Sequence, residues 1–159
     1  VIPLEEELEG LDDYIYLQQM RFDGRITVKK QIDVDPAAVT LPSFTLQPIL
    51  ENAFSHGLKS CEEGGRILLK VWQEGDVLFL TVSDNGKGMT EEELAQLHEK
   101  IRQSEQTGKS IGLGNISRRI SMLYPAGGMQ ITSRAGQGTT VRFEIPQTTT
   151  EQEAMDHEV

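Results

Sequence analysis

Residues 64 to 89, "GGRILLKVWQEGDVLFLTVSDNGKGM", carry the clearest strand pattern in the chain. This stretch holds two apolar runs of strand length, and in the second run apolar side chains recur at every other position. Glu74-Gly75-Asp76 separates the two runs, and a short glycine-containing link of this kind is typical of a hairpin. The stretch therefore predicts two neighbouring strands joined by a tight turn.

The second of these strands ends on a carboxylate. Its alternating apolar residues share one face and Asp84 has the same parity, so the strand delivers a carboxylate to the end of a core-facing row. A carboxylate in that position is costly unless another group donates to it. The D-N-G sequence alone indicates only a turn. However, Gly86 and Gly88 follow in G-x-G spacing, which lets the backbone approach a ligand closely.

The last predicted strand carries a matching polar group. In "TTVRFEIP", residues 139 to 146, Thr139 has the parity of the three apolar residues that face the core. A hydroxyl and a carboxylate would then both point into the layer between sheet and helices. A flat heterocycle with a donor amino group would satisfy both, and adenine has that shape and that group.

A helix with an unusual polar face is predicted over "LQPILENAFSHGL", residues 46 to 58. Its apolar residues follow helical spacing and form one buried face. Asn52 and His56 lie four residues apart on the other face, and Asn is a poor residue for a helix interior. The pair is a candidate ligand-binding feature. For His56, the alternative is an ordinary surface histidine.

Glycines also lead into a helix start in "GKSIGLGNISRR", residues 108 to 119. Helix N-termini expose unpaired N–H groups and the positive end of the helix dipole, which suits phosphates. A glycine-rich loop is weak evidence alone, and this one matches neither the P-loop pattern nor the dinucleotide fingerprint. Its place directly before a well-marked helix makes phosphate binding a reasonable expectation.

The other elements follow from apolar periodicity. A capping box of Thr90 with Glu93 and a hydrophobic staple of Met89 with Leu94 mark one helix start. In chain order we expect a helix over 4–21, a strand over 25–34, a loop over 35–42, the helix over 46–58, the hairpin, the helix from Thr90, a mobile loop over 102–110, a helix over 111–124 and two closing strands. This order predicts the α+β class, a two-layer sandwich with one mixed, mostly antiparallel sheet covered on one face by helices.

Composition limits the possible partners. The chain has 159 residues and a formal net charge of -10, which suits one acidic globular domain and argues against nucleic acid as its partner. No apolar run is long enough to cross a bilayer. The single Cys61 cannot form an internal disulfide and fits a reducing compartment as a small thiol. Because the chain starts at Val1, we expect it to be part of a longer protein.

Four motifs together carry a family resemblance. "LQPILENAFSHG", "SDNGKGM", "IGLGNISRRI" and "GQGTTVRFEIP" resemble, in this order, the N, G1, G2 and G3 boxes of the catalytic ATP-binding domain of sensor histidine kinases. The first box is closest to the LytS/YesM-type subgroup. The resemblance covers residues 42 to 146 and implies the Bergerat fold shared with gyrase-type ATPases.

The resemblance also implies a role for each matching residue. Asn52 would bind the Mg²⁺ that bridges the phosphates of ATP, and His56 would lie near those phosphates. Asp84 and Thr139 would bind adenine, and residues 90 to 111 would form a lid over the nucleotide. The remaining cofactor-binding positions are those of the glycine boxes: Gly86, Gly88, Met89, Gly112, Leu113 and Gly114.

Two departures from the wider superfamily bear on the reaction. Gyrase-like relatives place a water-activating glutamate four residues before the metal-binding asparagine, where this chain has Pro48. Glu51 is a carboxylate beside Asn52, with either local hydrogen bonding or proton handling at the acceptor as its role. Neither His98 nor His157 lies in a phosphoacceptor context, so the acceptor histidine is expected upstream of Val1.

Apolar spacing and composition predict three segments, and the resemblance implies a defined set of partners. Residues 1–22 would form an N-terminal helix, lying on its own domain or continuing as a dimerisation stalk, 23–147 the catalytic domain, and 148–159 a disordered acidic tail. The protein would be a protein-histidine kinase with ATP and Mg²⁺ as cofactors, a homodimer in full length, acting with an upstream phosphoacceptor domain and indirectly with a response regulator. It would be the cytoplasmic part of a membrane-anchored sensor. A free-standing ATPase and a nucleotide-binding interaction module are the alternatives.

Overall fold

The computed structural model describes residues 1–22, 24–57, 64–107, 112–125 and 127–147. In chain order the elements are β1 (Ile2–Pro3), α1 (Leu4–Arg21), β2 (Ile26–Ile32), β3 (Thr40–Leu41), α2 (Leu46–Asn52), a π-helical turn (Ala53–Gly57), β4 (Gly65–Glu74), β5 (Val77–Asp84), α3 (Glu91–Thr107), α4 (Gly112–Leu123), β6 (Gly128–Arg134) and β7 (Gly138–Pro146).

The main sheet has five strands in the order β2-β4-β5-β7-β6. β2 runs parallel to β4, and every other neighbouring pair is antiparallel. The hairpin expected at residues 64 to 89 is β4 and β5, which pair from Glu74 opposite Val77 to Ile67 opposite Asp84. The mixed, mostly antiparallel α+β fold predicted from the sequence is thus confirmed. The short strands β1 and β3 form a separate antiparallel pair.

One face of the sheet supports the core. Leu69, Leu80 and Phe143 lie on this face and are fully buried against the helices. The opposite face carries polar residues and an aromatic pair, Trp72 and Phe79, whose ring centroids are 5.3 Å apart. The two-layer arrangement follows from this alternation, because each strand offers only one apolar row for helices to cover.

Helix α1 packs on the same domain. Leu4, Leu11 and Ile15 are buried, so the apolar side of this helix faces the core. The carboxylate of Glu7, itself 8% exposed, accepts hydrogen bonds from the backbone N–H of the first residue of α2 and from those of the two residues before it. Three exposed apolar side chains remain on the C-terminal half of α1: Tyr16, Leu17 and Met20.

Three local predictions were wrong. The helix that begins at Leu46 is α-helical only to Asn52 and continues as a π-helical turn over Ala53–Gly57. The loop predicted over 35–42 contains β3, which forms because β1 pairs with it. Residues 102–107 of the predicted mobile loop belong to α3, because they contain no glycine or proline and Arg102 pairs with Glu99 at 2.6 Å one turn earlier. Residues 108–110 lie outside the described ranges.

The predicted start of α3 is confirmed. The Glu93 backbone N–H donates to Thr90 Oγ1 at 3.1 Å, and the Thr90 N–H donates to the Glu93 carboxylate at 3.1 Å. Two of the unpaired N–H groups at this helix start are thereby satisfied. The pair fixes where α3 leaves the loop that follows β5.

Candidate functional site

A cavity of about 630 Å³ lies between the helix-covered face of the sheet and the helices. Strands β5, β6 and β7 contribute to it, as do α2, α3 and α4. Its lining residues are Pro48, Glu51, Asn52, Ser55, Asp84, Lys87, Gly88, Met89, Glu93, Gln96, Leu97, Lys100, Leu113, Ile131, Thr139 and Val141.

Most of the site residues expected from the sequence meet in this cavity. Those lining it are Glu51, Asn52, Asp84, Gly88, Met89, Leu113 and Thr139. Gly86 and Gly114 do not line it. The side chain of His56 and the surroundings of Gly112 lie outside what the structure describes. The fold therefore assembles residues from all four sequence boxes around one space.

Asp84 stands at the end of β5 opposite Thr139 of β7. Its Oδ1 accepts a hydrogen bond from the Gly86 backbone N–H at 2.9 Å. Burial raises the pKa of the Asp84 carboxyl, while the N–H groups of Gly86 and Thr139 act in the opposite direction. The Gly86 N–H thus holds the carboxylate in place, and the carboxylate still faces the cavity as an acceptor for a ligand.

The D-N-G sequence serves both as a turn and as part of the site. Asn85 Oδ1 accepts from the Arg66 N–H at 2.6 Å, and Asn85 Nδ2 donates to the Gly64 carbonyl at 3.0 Å. These bonds tie the loop after β5 back to the start of β4. The Asn85 side chain therefore fixes the loop that directly follows the Asp84 carboxylate.

Two glycines are required because two loops interlock beside the cavity. Gly88 has φ 65°, and a Cβ there would lie 1.9 Å from the Arg134 carbonyl oxygen. Gly138 has φ 90°, and a Cβ there would lie 1.9 Å from the Asp84 carbonyl oxygen. The loop after β5 and the turn between β6 and β7 can approach this closely only without side chains at these positions.

Helix α2, which lines the cavity, changes from α-helical to π-helical geometry at its polar residues. Asn52 is half-buried at the end of α2, and the π-helical turn begins immediately after it. Single π-helical turns are rare in proteins, and those that occur are often found at functional sites. The turn also changes the spacing on which stacking of Asn52 with His56 was predicted. Glu51 lines the cavity and lies 3.4 Å from the Gln47 side-chain nitrogen.

Several residues around the cavity were missed by sequence reasoning. Lys87 and Lys100 bring cations to its lining. Lys87 could have been found, since it lies inside the G-x-G motif. Lys100 could be placed only once α3 was known to face the cavity. Ser133 does not line the cavity, but its hydroxyl accepts from the Met89 N–H at 2.8 Å and contacts the Thr139 hydroxyl at 2.8 Å.

A second cavity of about 500 Å³ adjoins the first and shares Pro48 and Glu51 with it. We call its outer residues the Phe44 surface; they are Phe44, Arg118, Arg119 and Met122. Phe44 has φ 60°, which is unusual for a bulky residue, yet its side chain is 51% exposed. The Arg119 guanidinium donates to the carbonyl oxygens of Ser43 and Phe44.

The Phe44 conformation is held from both sides. The Glu7 carboxylate accepts from the Phe44 N–H at 2.9 Å, while Arg119 binds the Phe44 carbonyl. A left-handed backbone that presents an apolar ring to solvent is costly, and such features concentrate at functional sites.

The described residues offer a simple metal environment. None of the described ranges contains a group of three or more His, Cys, Asp or Glu side chains that could hold a metal ion. Asn52 supplies an amide oxygen to the lining, beside the carboxylate of Glu51. This donor set fits a cation that keeps most of its ligands as water or substrate phosphates, as Mg²⁺ does. In the part of the chain that the structure covers, no helix has the length and apolar character to span a bilayer.

Comparison with known proteins agrees with this architecture. The family described as histidine kinase-, DNA gyrase B-, and HSP90-like ATPase matches residues 43–149. Sensor histidine kinase YpdA of Escherichia coli (strain K12) is 33% identical over 145 residues, 91% of this chain and 24% of YpdA. Sensor protein LytS of Streptococcus mutans is 32% identical over 145 residues, 91% of this chain and 25% of LytS. The chain thus spans about a quarter of the length of these relatives.

Solved structures of histidine kinases share this fold. The catalytic domain of histidine kinase ThkA superposes with a TM-score of 0.67 at 22% identity, covering 92% of this chain and 96% of that domain. ThkA in complex with the response regulator protein TrrA superposes with a TM-score of 0.65 at 20% identity, covering 92% of this chain and 41% of that one. The fold is that of histidine kinase catalytic domains.

Proposed function

This chain belongs to the family of histidine kinase-, DNA gyrase B- and HSP90-like ATPases, and we propose that it is the catalytic module of a sensor histidine kinase of the LytS type. In this role it presents Mg·ATP so that the γ-phosphoryl group faces a histidine on an upstream domain. The observation that carries the proposal is one cavity with Asp84 and Thr139 on its sheet side and Asn52 on its helix side.

The sheet side of the cavity fits adenine. Asp84 is a carboxylate acceptor, and Leu113, Ile131 and Val141 give apolar walls for a flat ring. An exocyclic amine donates to such an acceptor, whereas the carbonyl of guanine at that place would be repelled by it. ATP is therefore the expected nucleotide.

The helix side fits the phosphates and their metal. Asn52 would hold Mg²⁺ through its amide oxygen, and the lysines of the cavity wall, Lys87 and Lys100, would add positive charge near the phosphates. Mg²⁺ supplies charge neutralisation on the transferring phosphoryl group when it is bound. The residues of this chain orient the nucleotide and exclude water, which is most of what phosphoryl transfer requires of a protein.

The adjoining Phe44 surface supports an acceptor partner. An acceptor histidine must reach the phosphate end of the cavity, and the Phe44 surface begins there, sharing Pro48 and Glu51 with it. The upstream phosphoacceptor domain of the same protein is the partner we assign to it. The same proposal includes homodimerisation of the full-length protein, an indirect response-regulator partner and a cytoplasmic position in a membrane-anchored sensor. It also includes the stalk role of α1 and the acidic tail.

Hydrolysis by water is not the expected reaction. Pro48, which lines the cavity one helical turn before Asn52, stands where a water-activating carboxylate would be needed. Glu51 is the nearest carboxylate in sequence, and its place between both cavities favours the acceptor side. This weakens the alternative of a free-standing ATPase.

The test supplies a phosphoacceptor domain of a LytS-type kinase and labelled ATP to the chain and to Phe44→Asn. Asn tolerates the left-handed backbone while removing the ring. We expect acid-labile label on the acceptor, a rate at least several-fold lower for Phe44→Asn, and an unchanged ATP dissociation constant for that variant. Transfer by Phe44→Asn at the wild-type rate would remove the Phe44 surface from the proposal, and no transfer by the wild type would count against the kinase role.

A further inference from the structure

Ser133 of β6 stands behind the cavity and connects three parts of it. Its hydroxyl accepts from the Met89 backbone N–H at 2.8 Å. It donates to the Gly138 carbonyl at 3.0 Å, and it lies 2.8 Å from the hydroxyl of Thr139. The loop after β5, the turn before β7 and the adenine-side threonine therefore all meet at one side chain.

The protons of this cluster can be assigned by counting donors. A serine hydroxyl has one proton, and a carbonyl such as that of Gly138 can only accept. With the Ser133 proton directed to Gly138, the contact between the two hydroxyls must use the proton of Thr139. The Thr139 oxygen then keeps only lone pairs for the cavity, where Asp84 also presents an acceptor.

The geometry points to Ser133 as a positioning residue that sets purine specificity. It holds the Thr139 hydroxyl as an acceptor, so that Thr139 and Asp84 both require a donor on the ligand, directly or through a bridging water. An exocyclic amine meets that requirement and a carbonyl does not. This inference rests on the proposed ATP-binding role and adds a residue that does not touch the nucleotide.

The chain contains a matched control for this arrangement. Ser83 and Thr140 face each other on β5 and β7, with their hydroxyls 2.9 Å apart. Both pairs are half-buried serine–threonine contacts between neighbouring strands. The Ser83 pair has the opposite parity to Asp84 and Thr139 and does not line the cavity. Ser83→Ala removes a comparable hydroxyl without reaching the nucleotide.

The experiment measures dissociation constants for ATP and for inosine triphosphate, which carries a carbonyl in place of the exocyclic amine. The variants are Ser133→Ala, Ser133→Thr, Ser83→Ala and Thr139→Val. For Ser133→Ala we expect ATP to bind roughly threefold to tenfold more weakly, as for one lost hydrogen bond, with a smaller loss for inosine triphosphate. The ratio of the dissociation constant for inosine triphosphate to that for ATP should therefore fall.

The conservative variants separate specificity from stability. Ser133→Thr keeps the hydroxyl and should keep the wild-type ratio of the two dissociation constants. Ser83→Ala should keep it as well. In the Thr139→Val background, Ser133→Ala should lower the ratio no further. Should Ser133→Ala fail to fold, Ser133→Cys, with its weakly bonding thiol, should narrow the ratio instead. An equal loss for both nucleotides in Ser133→Ala would overturn the inference but leave the ATP-binding role standing. Failure of the wild type to bind either nucleotide would overturn both.

Discussion

Replacing Asp84 by Asn isolates the charge on which the proposed recognition of adenine depends. The variant keeps nearly the same size, and its Oδ1 can still accept from the Gly86 N–H, which in the wild type lies 2.9 Å from Asp84 Oδ1. It loses the negative charge, and its amide nitrogen is a donor where the ligand amine also donates. The change therefore alters the ligand contact more than the loop.

The expected loss follows from the type of bond. A hydrogen bond to a charged group contributes about 1.5–3 kcal/mol, so ATP should bind roughly tenfold to a hundredfold more weakly. Stability should move in the other direction. Burial raises the pKa of Asp84, so its ionised form is disfavoured in the folded state, and the neutral amide at neutral pH relieves that cost.

The pH dependence has a defined sign. Because the folded pKa of Asp84 is raised, the folded protein holds more protons there than the unfolded chain, and the stability contributed by this group is lost as pH rises through the raised value. ATP binding needs the ionised form, so affinity should fall on acidification at a higher pH than for an exposed aspartate. Asp84→Asn should remove both dependences.

Isothermal titration with ATP and GTP, together with denaturant unfolding at several pH values, measures these effects. Glu144→Gln, on the other face of the sheet, is a suitable charge control because it also removes one carboxylate from a sheet strand. An Asp84→Asn variant that bound ATP as tightly as the wild type would show that Asp84 does not recognise adenine, as would equal affinity of the wild type for ATP and GTP.

The other predictions concern the metal, the glycine interlock and the cap on α2. Asn52→Ala should abolish most of the gain in ATP affinity that Mg²⁺ gives, and calorimetry with and without the metal would show a retained gain if this is wrong. Gly138→Ala should destabilise by at least about 2 kcal/mol more than Gly136→Ala, because both have positive φ but only the first meets backbone at 1.9 Å. Denaturant unfolding with equal losses would contradict the interlock. Glu7→Gln should lower the free energy of unfolding by about 1–3 kcal/mol, because Glu7 accepts three N–H bonds. The exposed control Glu9→Gln should lower it by less than about 0.5 kcal/mol. Equal losses would show that the three bonds contribute little.

Local patterns in the sequence located much of this architecture. The alternation along β5 and β7 depends only on neighbouring residues, and it predicted correctly that Asp84 and Thr139 share a face, where the register makes them direct partners. The capping box at the start of α3 was equally local. Each of these features depends on residues within a single strand or a single helical turn, and sequence periodicity carries information over that range.

Features that depend on distant contacts could not be found in this way. Glu7 caps α2 from 38 residues away when measured to Thr45, and no local pattern links the two. The Ser133 hydroxyl contacts Met89 in the loop after β5 and two residues at the start of β7, Gly138 and Thr139, so its place in the site depends on segments far apart in sequence. The π-helical turn after Asn52 likewise replaces what the apolar spacing alone predicted as continuous α-helix. These are tertiary effects that override local preference.

The most direct test of the central claim is where the phosphoryl group goes. The chain is incubated with radiolabelled ATP alone, and again as part of a longer protein that joins a phosphoacceptor domain of a LytS-type kinase to its N-terminus. We expect acid-labile, base-stable label in the longer protein, lost in its Asn52→Ala variant, and negligible label or hydrolysis with the chain alone. Label of that kind on the chain alone, abolished by His56→Gln, would contradict it.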